Sequence, residues 1–168
     1  MDRIAIDDVA PEPYDEDLHT DRRDLTEPLA LEGVSVVRYA LEPGERFSGS
    51  AHAHPDQEEV FIVLEGEATF EVPLDGPGSE LAEITVAKNE AIRFAPGEFQ
   101  SGRNDGDERV VALALGAPRD SDDVRISRIP VLGDRDVSCP DCDRDHMRIS
   151  RGDAEFECPD CGTTLILE

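Results

Sequence analysis

The stretch His52-Ala53-His54-Pro55-Asp56-Gln57-Glu58-Glu59 runs directly into the apolar segment Val60-Phe61-Ile62-Val63-Leu64 and a Glu65-Gly66 turn. Side chains alternate across an extended strand, so His52 and His54 project to one side. Two imidazoles on one side, with a carboxylate a few residues later, are a donor set for a divalent metal. Val60 to Leu64 is continuously apolar, which predicts a strand buried on both faces.

Working outward, the chain keeps reading as β. In Ser35-Val36-Val37-Arg38-Tyr39-Ala40-Leu41, the residues Val37, Tyr39 and Leu41 share one face, and Pro43-Gly44 ends the run as a turn. Glu67 to Val72 alternates with Ala68, Phe70 and Val72 inward. Ala82, Ile84 and Val86 mark another half-buried strand, Ile92 and Phe94 a short one, Val110 to Leu115 a second apolar run, and Val124 to Arg128 the last of the series. Strands at this spacing, broken by Gly, Pro and Asn and without an amphipathic helix, predict an all-β sandwich or closed barrel over residues 31–129. Residues 1–30 are charged, Pro-punctuated and without periodicity, and are expected to be an irregular arm. Its His19 has no ligand-spaced neighbour and is expected in a solvated or capping role.

Charge narrows the function classes. Forty acidic residues face sixteen basic ones, a net charge of -24, and Lys88 is the single lysine. Nucleic-acid binding by counterion release needs a basic face, so a nucleic-acid partner is excluded. Such a surface repels itself in dilute buffer, whereas molar salt shortens the Debye length to about 3 Å. The acid-rich, lysine-poor composition resembles proteins of salt-accumulating halophiles. No segment is apolar for long enough to span a bilayer, and the start lacks the pattern of a signal peptide, so the expectation is a cytoplasmic protein without a membrane partner.

After a linker at 130–136, residues 137–168 carry Cys139-Pro140-Asp141-Cys142 and, fifteen residues on, Cys158-Pro159-Asp160-Cys161. Two C-x2-C pairs at this separation predict a four-thiolate zinc site. Gly162 follows the second pair and supplies the positive φ that such a turn requires. A module of about thirty residues buries too little apolar surface to fold alone, so zinc would supply much of its folding energy. Disulfides are disfavoured in a cytoplasmic chain, and a redox dithiol needs only one pair and a βαβ setting. Four cysteines complete the site, which leaves His146 a bystander. The segment is similar to a zinc ribbon. Residues 136–168 carry nine acidic and three basic side chains, which favours a protein contact, or capping of the barrel, over nucleic acid.

The region from Gly44 to Asn104 resembles the cupin superfamily. The first cupin motif is matched by His52 and His54, by Glu59 after four residues, and by Gly66 after six more; the count back from Gly66 selects Glu59 over Glu58. In the second motif, Ala95-Pro96-Gly97 occupies the P-x-G place, Glu98-Phe99 are the two spacers, Gln100 stands where the family has a histidine, and Ser101-Gly102-Arg103 lead to Asn104. The resemblance, closest to small single-domain cupins of haloarchaeal type, implies a double-stranded β-helix, or jelly roll, with a metal in its mouth. It implies His52, His54 and Glu59 as ligands, and Gln100 as either an amide-oxygen ligand or a hydrogen-bonding residue beside an open position. The metal would be Fe, Mn, Ni or Zn. Cupins include metal-dependent enzymes, storage proteins and sensors. Two readings therefore stay open: a metal-binding protein, and an enzyme of dioxygenase or isomerase type acting on a small polar molecule. Candidates to line the pocket are Arg38, Tyr39, Phe47, Phe61, Arg93, Phe94, Phe99 and Arg103, with Arg103 as a carboxylate-binding candidate. Glu58 and Glu98 are candidate acid–base groups. The family also implies a homodimer, and the ribbon a protein partner.

Overall fold

Strand periodicity dictates two facing sheets, and the computed structural model, which describes residues 1–167, has them. Fourteen short strands and two 3-10 turns make up the described chain, with no α-helix among the described residues. β1 (Asp21–Asp24), β2 (Ser35–Leu41), β4 (Glu58–Glu65), β7 (Ala91–Phe94) and β9 (Val110–Ala117) form one sheet in the order β1-β2-β9-β4-β7. β5 (Glu67–Pro73) lies between β6 (Leu81–Ala87) and β8 (Ser101–Arg103). Isolated bridges Arg46↔Arg103 and His52↔Gln100 continue this second layer to β3 (Ala51–Ala53), and β3 pairs with β10 (Arg125–Ile129). This is a jelly roll, the closed all-β architecture expected from the strand pattern.

The core lies between the layers. Val37, Tyr39 and Leu41 of β2 meet Phe61 and Val63 of β4, Ala68 and Phe70 of β5, and Phe94 of β7. The one-face grouping read for β2, and the inward set of β5, hold in the structure. β4 differs from expectation: Phe61 and Val63 are buried, Val60 and Ile62 only partly, and Leu64 is exposed. The sheet has one wet face, so alternation applies even though every residue of the run is apolar. Gly66 links β4 to β5 at φ +71°, and a Cβ there would stand 2.5 Å from the Arg109 carbonyl oxygen. Gly102 is required for packing: a Cβ would come within 2.7 Å of both Phe70 and Phe47, whose rings stack at 5.6 Å.

The N-terminal arm is more ordered than its composition predicts. β1 pairs along β2 from Asp21↔Ala40 to Asp24↔Val37, and the Arg46 N–H donates to the Leu18 carbonyl. His19, expected in a solvated or capping role, is fully buried. Its Nδ1 lies 2.9 Å from the Arg46 carbonyl, and its ring packs edge-on to Tyr14 and Tyr39. The aromatic neighbours bury it; no charge or cap was needed.

Residues 130–136, expected as a linker, hold the 3-10 turn Pro130–Leu132 and β11 (Arg135–Asp136), which pairs with β10. β12 (Met147–Ile149) also pairs with β10, then β13 (Phe156–Glu157) and β14 (Thr164–Leu165) follow in order. Ile126 of β10 is buried with Val137, Met147, Phe156, Cys139 and Cys158. The barrel sheet therefore runs on into the cysteine-bearing segment, and the two share apolar contacts.

Candidate metal centres

β3 ends at Ala53, and its bridge to Gln100 sets the first site. His52 and Gln100 exchange backbone hydrogen bonds of 3.0 Å in both directions, so their side chains stand together. Glu59, near the start of β4, reaches in from the facing sheet, with its carboxylate 3.6 Å from His54 Nε2 and 3.9 Å from His52 Nε2. One donor atom from each of His52, His54 and Glu59 lies within 4.8 Å of the others. The separations exceed hydrogen-bond length, and the atoms nonetheless converge. Zinc-type bonds of about 2.0–2.2 Å to N and O donors are short enough for one ion to sit among all three.

The far side of each imidazole fixes its tautomer. Ser48 Oγ donates to the Ser50 carbonyl at 2.8 Å, and Ser121 Oγ donates to Asp56 Oδ1 at 2.6 Å. With those protons committed, Ser48 accepts from His52 Nδ1 at 3.1 Å and Ser121 from His54 Nδ1 at 3.0 Å. Each Nε2 is left with its lone pair turned into the site, as a metal ligand requires. Burial, opposed by the Glu59 carboxylate, lowers the His54 pKa, which keeps the imidazole in its neutral, ligating form.

Gln100 is only 1% exposed. Its amide nitrogen lies 3.2 Å from Glu59 Oε2 and 3.3 Å from His52 Nε2, while its Oε1 is buried without a hydrogen-bond partner. An orphaned amide oxygen beside converging ligand atoms fits a cation: rotation of the terminal amide would exchange the oxygen for the nitrogen. The donor set thus suits a divalent ion, with two imidazoles, a carboxylate and an amide at hand.

A cavity of about 220 Å³ opens beside this set, lined by Tyr39, Phe47 and Phe61 as expected, and by Tyr14 and Arg22 of the arm. Arg22 donates to the Tyr39 hydroxyl at 3.3 Å and lies over the Tyr14 and Tyr39 rings. The other expected lining residues are elsewhere. Arg38 pairs with Asp21, and Arg93, Phe94 and Phe99 border a separate hollow between β5, β6 and β7. Arg103 is bound by Glu71, Glu83 and Asp105, so its guanidinium is committed to the barrel's own carboxylates. Glu58 pairs with Arg93, and Glu98 accepts from the Ala95 N–H.

The second cluster joins Cys139, Cys142, Cys158 and Cys161, whose sulfurs all lie within 4.8 Å of one another. The Cys139–Cys161 and Cys142–Cys158 separations are 3.5 and 3.6 Å, far beyond the roughly 2.05 Å of a disulfide. The two turns repeat one geometry. Cys139 N–H donates to the Arg144 carbonyl and Cys158 N–H to the Thr163 carbonyl, while Asp143 and Gly162, each directly after its pair, take φ of 55° and 77°. Hydrogen bonding with Thr163 lowers the Cys161 thiol to about 6, whereas at Cys142 a backbone hydrogen bond from Arg144 is outweighed by the sulfurs of Cys139 and Cys158, which push that thiol up to about 12. Among the four crowded sulfurs Cys161 is therefore the first thiolate. Such a four-sulfur group is compatible with a small zinc site. His146 stands outside it, bound to Asp145 and packed on Phe99.

Residues 37–116 match the family model for the cupin domain. A search of curated proteins returns no match. Among solved structures, a candidate sugar phosphate isomerase from Acidithiobacillus ferrooxidans superposes with a TM-score of 0.58 at 21% identity, covering 88% of this chain and 80% of its own. The cupin-superfamily sugar phosphate isomerase from Silicibacter pomeroyi gives 0.55 at 21%, covering 73% and 85%. The oxalate decarboxylase of Lactobacillus farciminis, solved as a formate complex, gives 0.55 at 18%, covering 68% of this chain and 33% of that one. At such identities the common property is the fold.

Proposed function

We propose that this chain is a metal-binding cupin that holds a divalent transition metal at His52, His54 and Glu59, with Gln100 at the fourth position, and a structural zinc at the four cysteines. The observation that carries the barrel assignment is the pair of serine contacts that turn both Nε2 lone pairs toward the Glu59 carboxylate. Bound there, the ion would supply Lewis acidity to an oxygen-bearing ligand. The chain's own residues would shape the rest: Arg22 offers positive charge, and Tyr39, Phe47 and Phe61 exclude water from the cavity.

The 220 Å³ cavity is the observation that favours the second reading, an enzyme of dioxygenase or isomerase type on a small polar molecule. Two of the structurally similar proteins are described as sugar phosphate isomerases. The acidic surface supports function in a high-salt cytoplasm, and no helix of the described residues is long and apolar enough to cross a membrane.

Elemental analysis of protein purified in molar salt tests the assignment. Zinc plus a second transition metal is expected, with His52→Ala losing the second and keeping zinc. Zinc at one equivalent with no second metal would reduce the barrel site to a hydrogen-bonded cluster. Loss of both metals in His52→Ala would contradict two independent sites.

A further inference from the structure

A second hollow, about 400 Å³, abuts the barrel cavity on its outer side. Tyr14 and Leu18 of the arm, Val131 beyond β10, and Ile149 and Phe156 of the cysteine-bearing segment line it, and the two cavities share Tyr14, Ser48, His52 and His54. The inner cavity sets the charged groups Glu59 and Arg22 among aromatic walls; the outer carries Asp15 as its one carboxylate, and no arginine or lysine lines it. Tyr14, Val131 and Ile149 are 57%, 49% and 50% exposed. On a chain of net charge -24, these three large apolar side chains are grouped in water around one mouth, and that mouth opens onto the candidate metal ligands. The hollow's volume lies within the range of about 300–1,000 Å³ typical of small-molecule sites.

We propose that the ligand is a small amphipathic anion: an oxygen-bearing head, such as a carboxylate, in the barrel cavity, and an unbranched or aromatic apolar tail in the outer hollow. This rests on the barrel-metal reading, because the head would meet the ion at His52, His54 and Glu59. Continuity decides the class. A wholly polar substrate would leave the outer hollow wet, and a neutral hydrocarbon would strip water from Arg22 and the metal ligands without replacing it. The arrangement gives the cysteine-bearing segment a role in binding, since Ile149 and Phe156 line the hollow together with Tyr14 and Leu18 of the arm.

The test uses full-length protein with zinc in the cysteine site and Mn2+ in the barrel, Mn2+ uptake being confirmed first by electron paramagnetic resonance. Straight-chain carboxylates from acetate to octanoate are titrated calorimetrically in high-salt buffer. Each added methylene should tighten Kd by about fourfold until the hollow is full. Ile149→Asp should flatten the series, its loss growing with chain length. Leu74→Asp, at an exposed position that lines neither cavity, should leave the slope as in the parent. Acetate binding with a flat series in the parent protein overturns the proposal, as does a slope that survives Ile149→Asp or is lost equally in Leu74→Asp. Failure to take up Mn2+ at all overturns the barrel-metal reading instead, and the proposal falls with it.

Discussion

His54 Nδ1 lies 3.0 Å from the hydroxyl of Ser121, a residue sixty-seven positions later in the chain. Because Ser121 donates to Asp56, it can only accept from His54, and one serine thereby sets the ring's tautomer and angle. Ser121→Ala should weaken barrel-metal affinity by about 10–100-fold, the usual cost of losing such a support. Chelator competition measures it, with the cysteine-bound zinc as internal control. Unaltered affinity would mean that the His54 ring is held by packing alone.

Gln100 gives a sharper test of the donor set. Its amide nitrogen now contacts Glu59 and His52 while its oxygen has no partner. If rotation brings that oxygen to the ion, Gln100→Ala should reduce affinity by about tenfold, or ~1.4 kcal/mol. Gln100→His should raise it, since imidazole nitrogen is the better donor for first-row metals. Tighter binding by the alanine variant would show that Gln100 competes for the ligands rather than joining them.

The β10–β12 pairing makes a prediction for zinc removal. Cys139 and Cys158 are buried with Ile126 of β10, Met147 and Phe156. Chelation, or Cys139→Ser, should release hydrogen-exchange protection at Met147–Ile149 and Phe156–Glu157, and also along Arg125–Ile129. β2, β4 and β9, whose apolar contacts form the other cluster, should keep theirs. Protection unchanged throughout would mean that the segment folds on its apolar contacts without metal, against the small size of its core.

What the sequence disclosed, and what it withheld, divides along physical lines. The H-x-H pair, Glu59 and the cysteines were legible because strand alternation and tight turns fix side-chain direction within a few residues. Ser48 and Ser121 were not, because nothing local distinguishes a serine that supports a ligand from one in water. Tyr14 and Arg22 were missed because the arm was read as irregular. β1 is Asp21-Arg22-Arg23-Asp24, an edge strand with no apolar pattern, and charge is a usual means of blunting an edge. Its pairing is sustained instead by backbone bonds and by Arg23 and Arg38 on Asp21. Arg103 misled in the opposite sense: proximity to the second motif suggested a substrate contact, and three carboxylates claim it.

Salt dependence follows from charge that pairing cannot cancel. Even if every arginine and the lysine found a carboxylate, a net charge of -24 would remain. Molar KCl shortens the Debye length to about 3 Å and screens repulsion among exposed carboxylates, whereas partly buried pairs are screened less. The thermal midpoint should therefore rise by several degrees or more between dilute buffer and molar KCl. A 1 kcal/mol gain corresponds to about 2–4 °C for a chain of this order of length. Equal midpoints in scanning calorimetry would refute a salt-requiring fold.

His19 predicts a pH dependence of opposite character to that of a salt-bridged histidine. Burial lowers its pKa, although the Arg46 carbonyl acts to raise it, and its Nε2 has no hydrogen-bond partner in the structure. The folded protein therefore holds it neutral, while the unfolded chain protonates it near its ordinary value of about 6.5. Between the two pKa values the unfolded state binds the extra proton, so stability rises with pH there. The contribution is complete above the unfolded pKa and is lost as pH falls below about 6.5 toward the depressed folded value, at no more than ~1.4 kcal/mol per pH unit for this group. His19→Gln should be less stable at pH 8 but lose less between pH 7 and pH 5 than the parent, read from denaturant midpoints at fixed salt. His146 is depressed in the same sense by its own burial, so some slope should persist in the variant. Because His19 packs between Tyr14 and Tyr39, acid should first loosen the arm over the cavity. Exchange protection at Leu18 and Arg46 should fall before that of β2. An identical pH slope in the variant would assign the acid sensitivity elsewhere.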